Sequence, residues 1–383
     1  MLKQWLVLGI LNMQNFVLHI LKFMIYARNS RAFSPKHICV YRIGNIGDLL
    51  CTIPALWQIR NKYPAAKITL LSSPGKIGAI SAKAVLPGFS CVDDILLYYQ
   101  EDINSWCKIK KFQQWVRGLD VDYFIQIPAV GTHFCQQIKL LLFFRFAGMK
   151  CADGFYLSTS NLFPRVQMQY FHPPTEVLRC IRHLPFRAEE KVVFNFLPTS
   201  EDVAYVQNFI RETVGANVKP VLAVSFFGKK AVQRWPLHNF AVVARRWVEE
   251  KDGIVVLIGG KTEKDMAEQI RMDVPEALGE RVLNVCGRFT IPQSIYFLQQ
   301  CQLLLSIDTG TAHMAAIANV PCVGIYSAYN LPYQWYAYGR RVKILRKDLP
   351  CSPCMKSDCR YGEFARCMMV IKPDDVWQQI LDI

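Results

Sequence analysis

Acidic residues are in short supply in this chain. Its 383 residues hold 30 Asp and Glu against 45 Lys and Arg, a net charge of +15. That excess implies an anionic partner: nucleic acid, an anionic membrane or a phosphorylated substrate. The modules that mark nucleic-acid binders in a sequence are missing, and no basic run is interleaved with stacking aromatics. The expected partners therefore include no nucleic acid. GxxxxGK[ST] and GxGxxG are missing too, so neither a P-loop NTPase nor a standard NAD enzyme is supported. No clear small-residue cleavage site follows the apolar N-terminus. At 52% hydrophobic residues global disorder is excluded, and the length suits two domains.

Cysteine is plentiful, but a paired framework is lacking. Most of the 14 cysteines are scattered singly through apolar segments, the pattern of buried thiols in a reducing compartment. The exception is Cys351, Cys354, Cys359 and Cys367. The first two have the spacing of metal ligands; the last two, with seven residues between them, do not match a short zinc knuckle. Reduced structural thiols and a structural metal cluster both stay open, and no catalytic metal is assigned.

From Ile38 onward, strand and helix patterns alternate. Strands are expected at 38–43, 67–72, 92–98 and 121–127, with helices at 49–62, 77–85, 103–118 and 132–147. Pro54 predicts a kink or a restart in the first of these. Residues 150–220 are rich in proline (Pro164, Pro173, Pro174, Pro185, Pro198), with helices expected at 175–184 and 200–214. The domain boundary is placed there. A second alternation begins at Val221, with strands at 221–226, 254–258, 282–285, 303–307 and 322–326. Its helices are expected at 237–250, 262–272, 291–300 and 310–319. The reading is α/β, two doubly wound parallel sheets in tandem. The domains are 36–190 and 191–372, with a final helix at 373–383 that packs back on the first domain.

Four loops carry suitable chemistry. Gly44 and Gly47 bracket a turn after the first strand, and Asp48 follows at the mouth of a helix. A carboxylate at the carboxyl end of a strand is a candidate general base, though on the turn alone an N-cap is the simpler reading. Asp308, Thr309, Gly310, Thr311 and His313 open a helix after a buried strand, a setting that binds phosphate through backbone amides and the helix dipole. Gly259, Gly260 and Glu263 suit ribose hydroxyls, or a first-turn acid. Lys229, Lys230 and Arg234 supply cations for a diphosphate leaving group.

The N-terminal segment 1–35 contains a mostly apolar stretch from Trp5 to Tyr26. Asn12, Asn15, His19 and Lys22 recur at spacings of three and four, a polar stripe on one helical face. A span needs about 20 nearly all-apolar residues, so the first expectation is an amphipathic helix lying in a membrane interface, followed by Arg28 and Arg31. A single span, a signal peptide, and a helix packed on the protein's own surface are the alternatives.

Taken together, these residues resemble glycosyltransferase family 9, the bacterial lipopolysaccharide heptosyltransferases. The resemblance rests on Arg42–Leu50 running into Thr52 and Pro54-Ala55-Leu56, on Ser306–Ala316, and on the Cys-rich end from Cys351. Gln233-Arg234-Trp235-Pro236 and the Gly259-Gly260 loop extend it over about residues 36–382. It implies a GT-B fold with two Rossmann-like domains facing an interdomain cleft. A nucleotide-sugar donor of the ADP-heptose type is implied for the second domain, and a lipid-linked anionic oligosaccharide acceptor for the first. Transfer inverts the anomeric centre, with no cofactor and no metal. Asp48 matches the base, Asp308, Thr309, Gly310 and His313 the donor-diphosphate loop, and Glu263 a ribose-binding acid. Where the family often has lysine this chain has Gln233, so Arg234, Lys229 or Lys230 has to supply the cation. The implied location is the cytoplasmic face of the inner membrane, or the cytoplasm. Two other readings stay open: a different GT-B enzyme (a UDP-sugar transferase or a 2-epimerase) and a non-catalytic membrane-associated scaffold.

Overall fold

The computed structural model describes residues 2–26, 34–162, 166–167, 171, 173–213 and 219–383. Arg28, Arg31 and Pro164 lie outside the described residues. The chain divides into two compact units, Met1–Phe194 and Asn195–Ile383.

Unit 1 runs α1 (Leu2–Ile25), β1 (His37–Tyr41), α2 (Ile46–Lys62), β2 (Lys67–Ser72), α3 (Ala82–Val85), β3 (Asp94–Leu97), α4 (Trp106–Arg117), β4 (Tyr123–Gln126), α5 (Phe134–Phe146), β5 (Ala152–Asp153) and α6 (Glu176–Arg182). Its sheet is parallel in the order β3-β2-β1-β4-β5. A parallel strand flanked on both faces by helices must be apolar throughout, which is why Ile38 to Tyr41 are all buried. The helix α2 passes through Pro54 without a break. Tertiary packing overrides the local penalty there: Ile53, Pro54, Ala55 and Leu56 are all buried.

Unit 2 runs α7 (Ser200–Thr213), β6 (Val221–Ser225), α8 (Leu237–Glu250), β7 (Ile254–Leu257), α9 (Lys264–Met272), α10 (Glu276–Gly279), β8 (Val282–Asn284), α11 (Ile291–Gln299), β9 (Leu303–Ile307), α12 (Gly310–Ala318), β10 (Cys322–Ile325), β11 (Val342–Leu345), α13 (Arg366–Met369) and α14 (Pro373–Leu381). Its sheet is parallel in the order β11-β10-β9-β6-β7-β8. Trp235 is fully buried in this core and donates Nε1 to the Ile371 carbonyl at 3.0 Å. The last helix, α14, packs on α8, β10 and β11. Its Val376, Trp377 and Ile380 join that unit's core.

The polar stripe of α1 also needs correction, since it does not form a single solvent-facing edge. Asn15 faces inward and exchanges two hydrogen bonds with the Leu157 backbone, at 2.9 and 2.7 Å. Lys22 pairs with Asp153, while Asn12 and His19 are exposed. Leu11 and Leu18 bury beside Leu157, and the Tyr26 hydroxyl donates to the Leu141 carbonyl at 2.7 Å. The helix lies along unit 1, because a two-bonded amide and an ion pair repay the burial of their polar groups.

Candidate active site

In each unit the sheet grows outward in two directions from its first strand. β2 lies on one side of β1 and β4 on the other; β7 lies on one side of β6 and β9 on the other. Open α/β sheets bind ligands outside the carboxyl ends of strands at such switch points. The loops after β1 and β4 in unit 1, and after β6 and β9 in unit 2, are those places.

In unit 1, Asn45 caps α2, and Asp48 sits three residues on. Asp48 Oδ2 accepts the Asn45 amide at 2.9 Å. Asp48 is thus the third-position acid of a capping arrangement and not the N-cap itself. Gly44 has φ +153°, and a Cβ on it would lie 2.3 Å from Asp48 Cβ. The space at Gly44 is therefore filled by the Asp48 side chain. Gly47 lies in the first turn of α2.

The other Asp48 oxygen, Oδ1, accepts from Arg42 Nη2 at 3.2 Å. Arg42 directly follows β1 and is fully buried. Its Nη2 also donates to Glu176 Oε1 at 2.8 Å, and its Nη1 to the Pro128 carbonyl, after β4, at 2.7 Å. Glu176 opens α6 and is gripped from its other side by Arg179, through Nε to Oε2 at 2.7 Å and Nη2 to Oε1 at 2.6 Å. Two arginines and two carboxylates thus share one buried cluster. Burial pushes the Asp48 carboxyl above its ordinary range; Arg42 opposes that rise and the Glu176 charge adds to it. Burial acts upward on Glu176 as well, but Arg179 and Arg42 outweigh it and hold that group low. Only Asp48 of the four keeps an exposed edge, with 16% of its side chain accessible against 0–3% for the others. A partly open, raised carboxylate beside an ionised one is an arrangement suited to proton abstraction.

Glu176 and Arg179 were not singled out in the sequence. Their only signal was an acid in a first turn with an arginine three residues later, which reads as a surface pair. Packing of α6 against α2 buries it.

In unit 2, Gln233 joins the two loops at the switch point. Its Nε2 donates to the Asp308 carbonyl at 2.9 Å and to Asp308 Oδ2 at 3.2 Å. Burial raises the Asp308 carboxyl to about 6; the Gln233 bond, Lys230 and Arg346 pull the other way. An amide stabilises a carboxylate less than an ammonium would, so the replacement of lysine by Gln233 has an electrostatic consequence here. Thr309 caps α12 in an extended conformation, Gly310 and Thr311 are half-buried, and His313 is buried one turn in. Lys230 Nζ lies 3.3 Å from the Tyr329 hydroxyl and 4.8 Å over its ring. Lys229 is exposed. Arg234 donates Nε to the Gly228 carbonyl at 3.1 Å and lies 4.9 Å over the Phe227 ring. Tyr329 and Arg346 had no sequence signal.

The third loop folds on itself. Glu263 accepts from the Gly260 amide and, at 2.8 Å, from the Thr262 hydroxyl. A Cβ on Gly259 would lie 3.1 Å from Cys286 Sγ. The four C-terminal cysteines are free thiols, and among the described residues no group of three or more His, Cys, Asp or Glu is arranged to hold a metal ion. Cys367 instead accepts from the Ala328 amide at 3.4 Å inside the core.

Residues 188–365 match the family model for glycosyltransferase family 9 (heptosyltransferase). A lipooligosaccharide heptosyltransferase 2 of Campylobacter jejuni is 28% identical over 149 residues, 39% of this chain and 46% of that protein. The chain spans about half the length of the first curated relatives it matches. Two solved structures share the fold, each 16% identical in sequence. The Escherichia coli ADP-heptose lipopolysaccharide heptosyltransferase II has a TM-score of 0.65, covering 90% of this chain and 98% of that one. A family 9 glycosyltransferase of Veillonella parvula has a TM-score of 0.72, covering 93% and 98%. Motifs, family model and fold agree: the chain is similar to glycosyltransferase family 9, the heptosyltransferases, over residues 188–365, and shares the GT-B fold of these two structures.

Proposed function

We propose that this chain is an inverting glycosyltransferase that moves a heptose from an ADP-heptose donor to a lipopolysaccharide core acceptor. Asp48 takes the proton of the acceptor hydroxyl as that oxygen attacks the anomeric carbon. The new C–O bond forms, the bond to the diphosphate breaks, and ADP leaves. The loop from Asp308 to His313 receives the diphosphate at the α12 N-terminus, with Lys230, Arg234 and Lys229 as its cations. Gly259, Gly260 and Glu263 take the nucleoside. The acceptor is lipid-linked and anionic, and the enzyme works peripherally at the cytoplasmic face of the inner membrane.

The observation that carries the reading is Asp48: a raised carboxylate at a switch point, with one edge open and its other contacts fixed by Arg42 and the Asn45 amide. The donor and acceptor are supported by the similarity to the Escherichia coli ADP-heptose lipopolysaccharide heptosyltransferase II. The test is incubation of the purified protein with a set of nucleotide sugars and truncated lipopolysaccharides, read by mass shift. A heptose increment from ADP-heptose is the expected result. Transfer from a UDP-sugar, or an epimerised nucleotide sugar with unchanged acceptor, would replace the reading with another GT-B enzyme.

A further inference from the structure

The outward face of α1 is apolar along its whole length. Leu6, Ile10, Met13, Val17, Ile20 and Met24 are all exposed, and their alternating spacing of four and three puts them on one stripe. Trp5, Phe16 and Phe23 flank it, also exposed. The inner stripe is the one that carries polar contacts, Asn15 to Leu157 and Lys22 to Asp153. Asn15 and Lys22 hold the helix to the protein together with the buried Leu11 and Leu18, while Asn12 and His19 lie at its exposed edge and a second apolar stripe points away from the protein.

Residues Gln4–Ile25 are long and apolar enough to cross a bilayer. Crossing would break the lengthwise packing on unit 1, exposing Leu18 and the Lys22–Asp153 pair to hydrocarbon. The neighbouring helices extend the same surface. Arg145 of α5 donates Nε to the Ile25 carbonyl at 2.6 Å, and Arg117 of α4 donates Nη2 to the Phe146 carbonyl at 2.7 Å. Phe146 is exposed there, at 63%, and Trp106 is exposed at the other end of α4. The three helices contain two, four and two Lys or Arg residues and no Asp or Glu. Apart from Lys22, which pairs with Asp153, these helices set apolar and aromatic side chains among cations with no acid of their own, a pattern that fits the headgroup boundary of an anionic bilayer.

We propose that α1 lies in the plane of an anionic membrane with its outward stripe among the acyl chains, docked on unit 1 and not spanning, and that α4 and α5 add cations to the contact. This deepens the membrane part of the reading above and rests on it only for the location. The test uses the full chain and vesicles of phosphatidylglycerol with phosphatidylethanolamine, against phosphatidylcholine alone. The wild type is expected to sediment with the anionic vesicles, weakened by salt, and to be released by alkaline carbonate, with Trp5 fluorescence quenched by lipids brominated near the headgroup. Met13→Glu/Phe16→Glu should lower the partition roughly tenfold or more, while leaving thermal unfolding unchanged, because both side chains are exposed. Lys110→Gln/Lys111→Gln should weaken binding to anionic vesicles only. Unchanged partition in both variants, resistance to carbonate, or a lipid-free dimer that the Met13/Phe16 variant dissolves while vesicle binding persists would each overturn the proposal. Transfer to a delipidated acceptor is a separate readout: its loss with vesicle binding intact would fault the transferase reading and leave the membrane face standing.

Discussion

Arg42 Nη2 lies 3.2 Å from Asp48 Oδ1 and, at 2.8 Å, donates from the same nitrogen to Glu176. One guanidinium thus links the exposed carboxylate to a fully buried one. The shorter contact goes to Glu176, which Arg179 also grips. Asp48 is left with the longer bond and the open edge, and so remains the more basic carboxylate.

Glu176→Gln removes the charge that both arginines need. An uncompensated buried cation costs roughly 3–5 kcal/mol, and a denaturant melt should register that loss. Glu176 is held below its ordinary value, so its stabilisation is present above the unfolded-state pKa and lost as pH falls through the folded one. The variant should lack that acid-side loss. Glu176 also raises Asp48, so in whatever variant folds, the acid limb of kcat/KM should move to lower pH. A limb that stays in place would separate the two carboxylates.

Gly44→Ala places a methyl 2.3 Å from Asp48 Cβ at a positive φ. Asp48 must swing away, and a displacement of about 1 Å costs about 10²-fold in rate. The expected result is a fall in kcat with nucleotide affinity unchanged, since the loops proposed to bind the nucleotide lie in unit 2. A fall in affinity alone would contradict it.

Asp308 is raised to about 6. A raised acid contributes stability that is complete below its unfolded value near 4 and is lost as pH rises through 6. Asp308→Asn keeps a partner for Gln233 without the charge. It should be more stable than the wild type at pH 7, by about 3 kcal/mol at most, and no more stable at pH 4. Urea melts at the two pH values measure this.

Much of the architecture was legible because the strands next to each switch point are long, apolar and followed by glycine. Two strands were missed for physical reasons. β5 has two residues, and β11 is a half-buried edge strand preceded by Arg340 and Arg341 and containing Lys343, so neither reads as an apolar run. In the site, Asp48 and the Asp308 loop stood out as polar groups after apolar strands. Glu176, Arg179 and Arg346 did not, because only tertiary packing buries them. The same reason inverted the reading of α1: a polar stripe looks like a wet face until Asn15 and Lys22 are seen to hold the helix down.

The central claim is that Asp48 is the general base, and Asp48→Asn tests it most directly. The amide keeps the shape, and the loops of unit 2 proposed to hold the nucleotide are untouched. Single-turnover transfer from ADP-heptose to a core acceptor should fall by roughly 10²–10⁴-fold, with ADP affinity within about twofold of the wild type on the proposed separation of roles. Transfer at the wild-type rate in a folded Asp48→Asn protein would contradict the account.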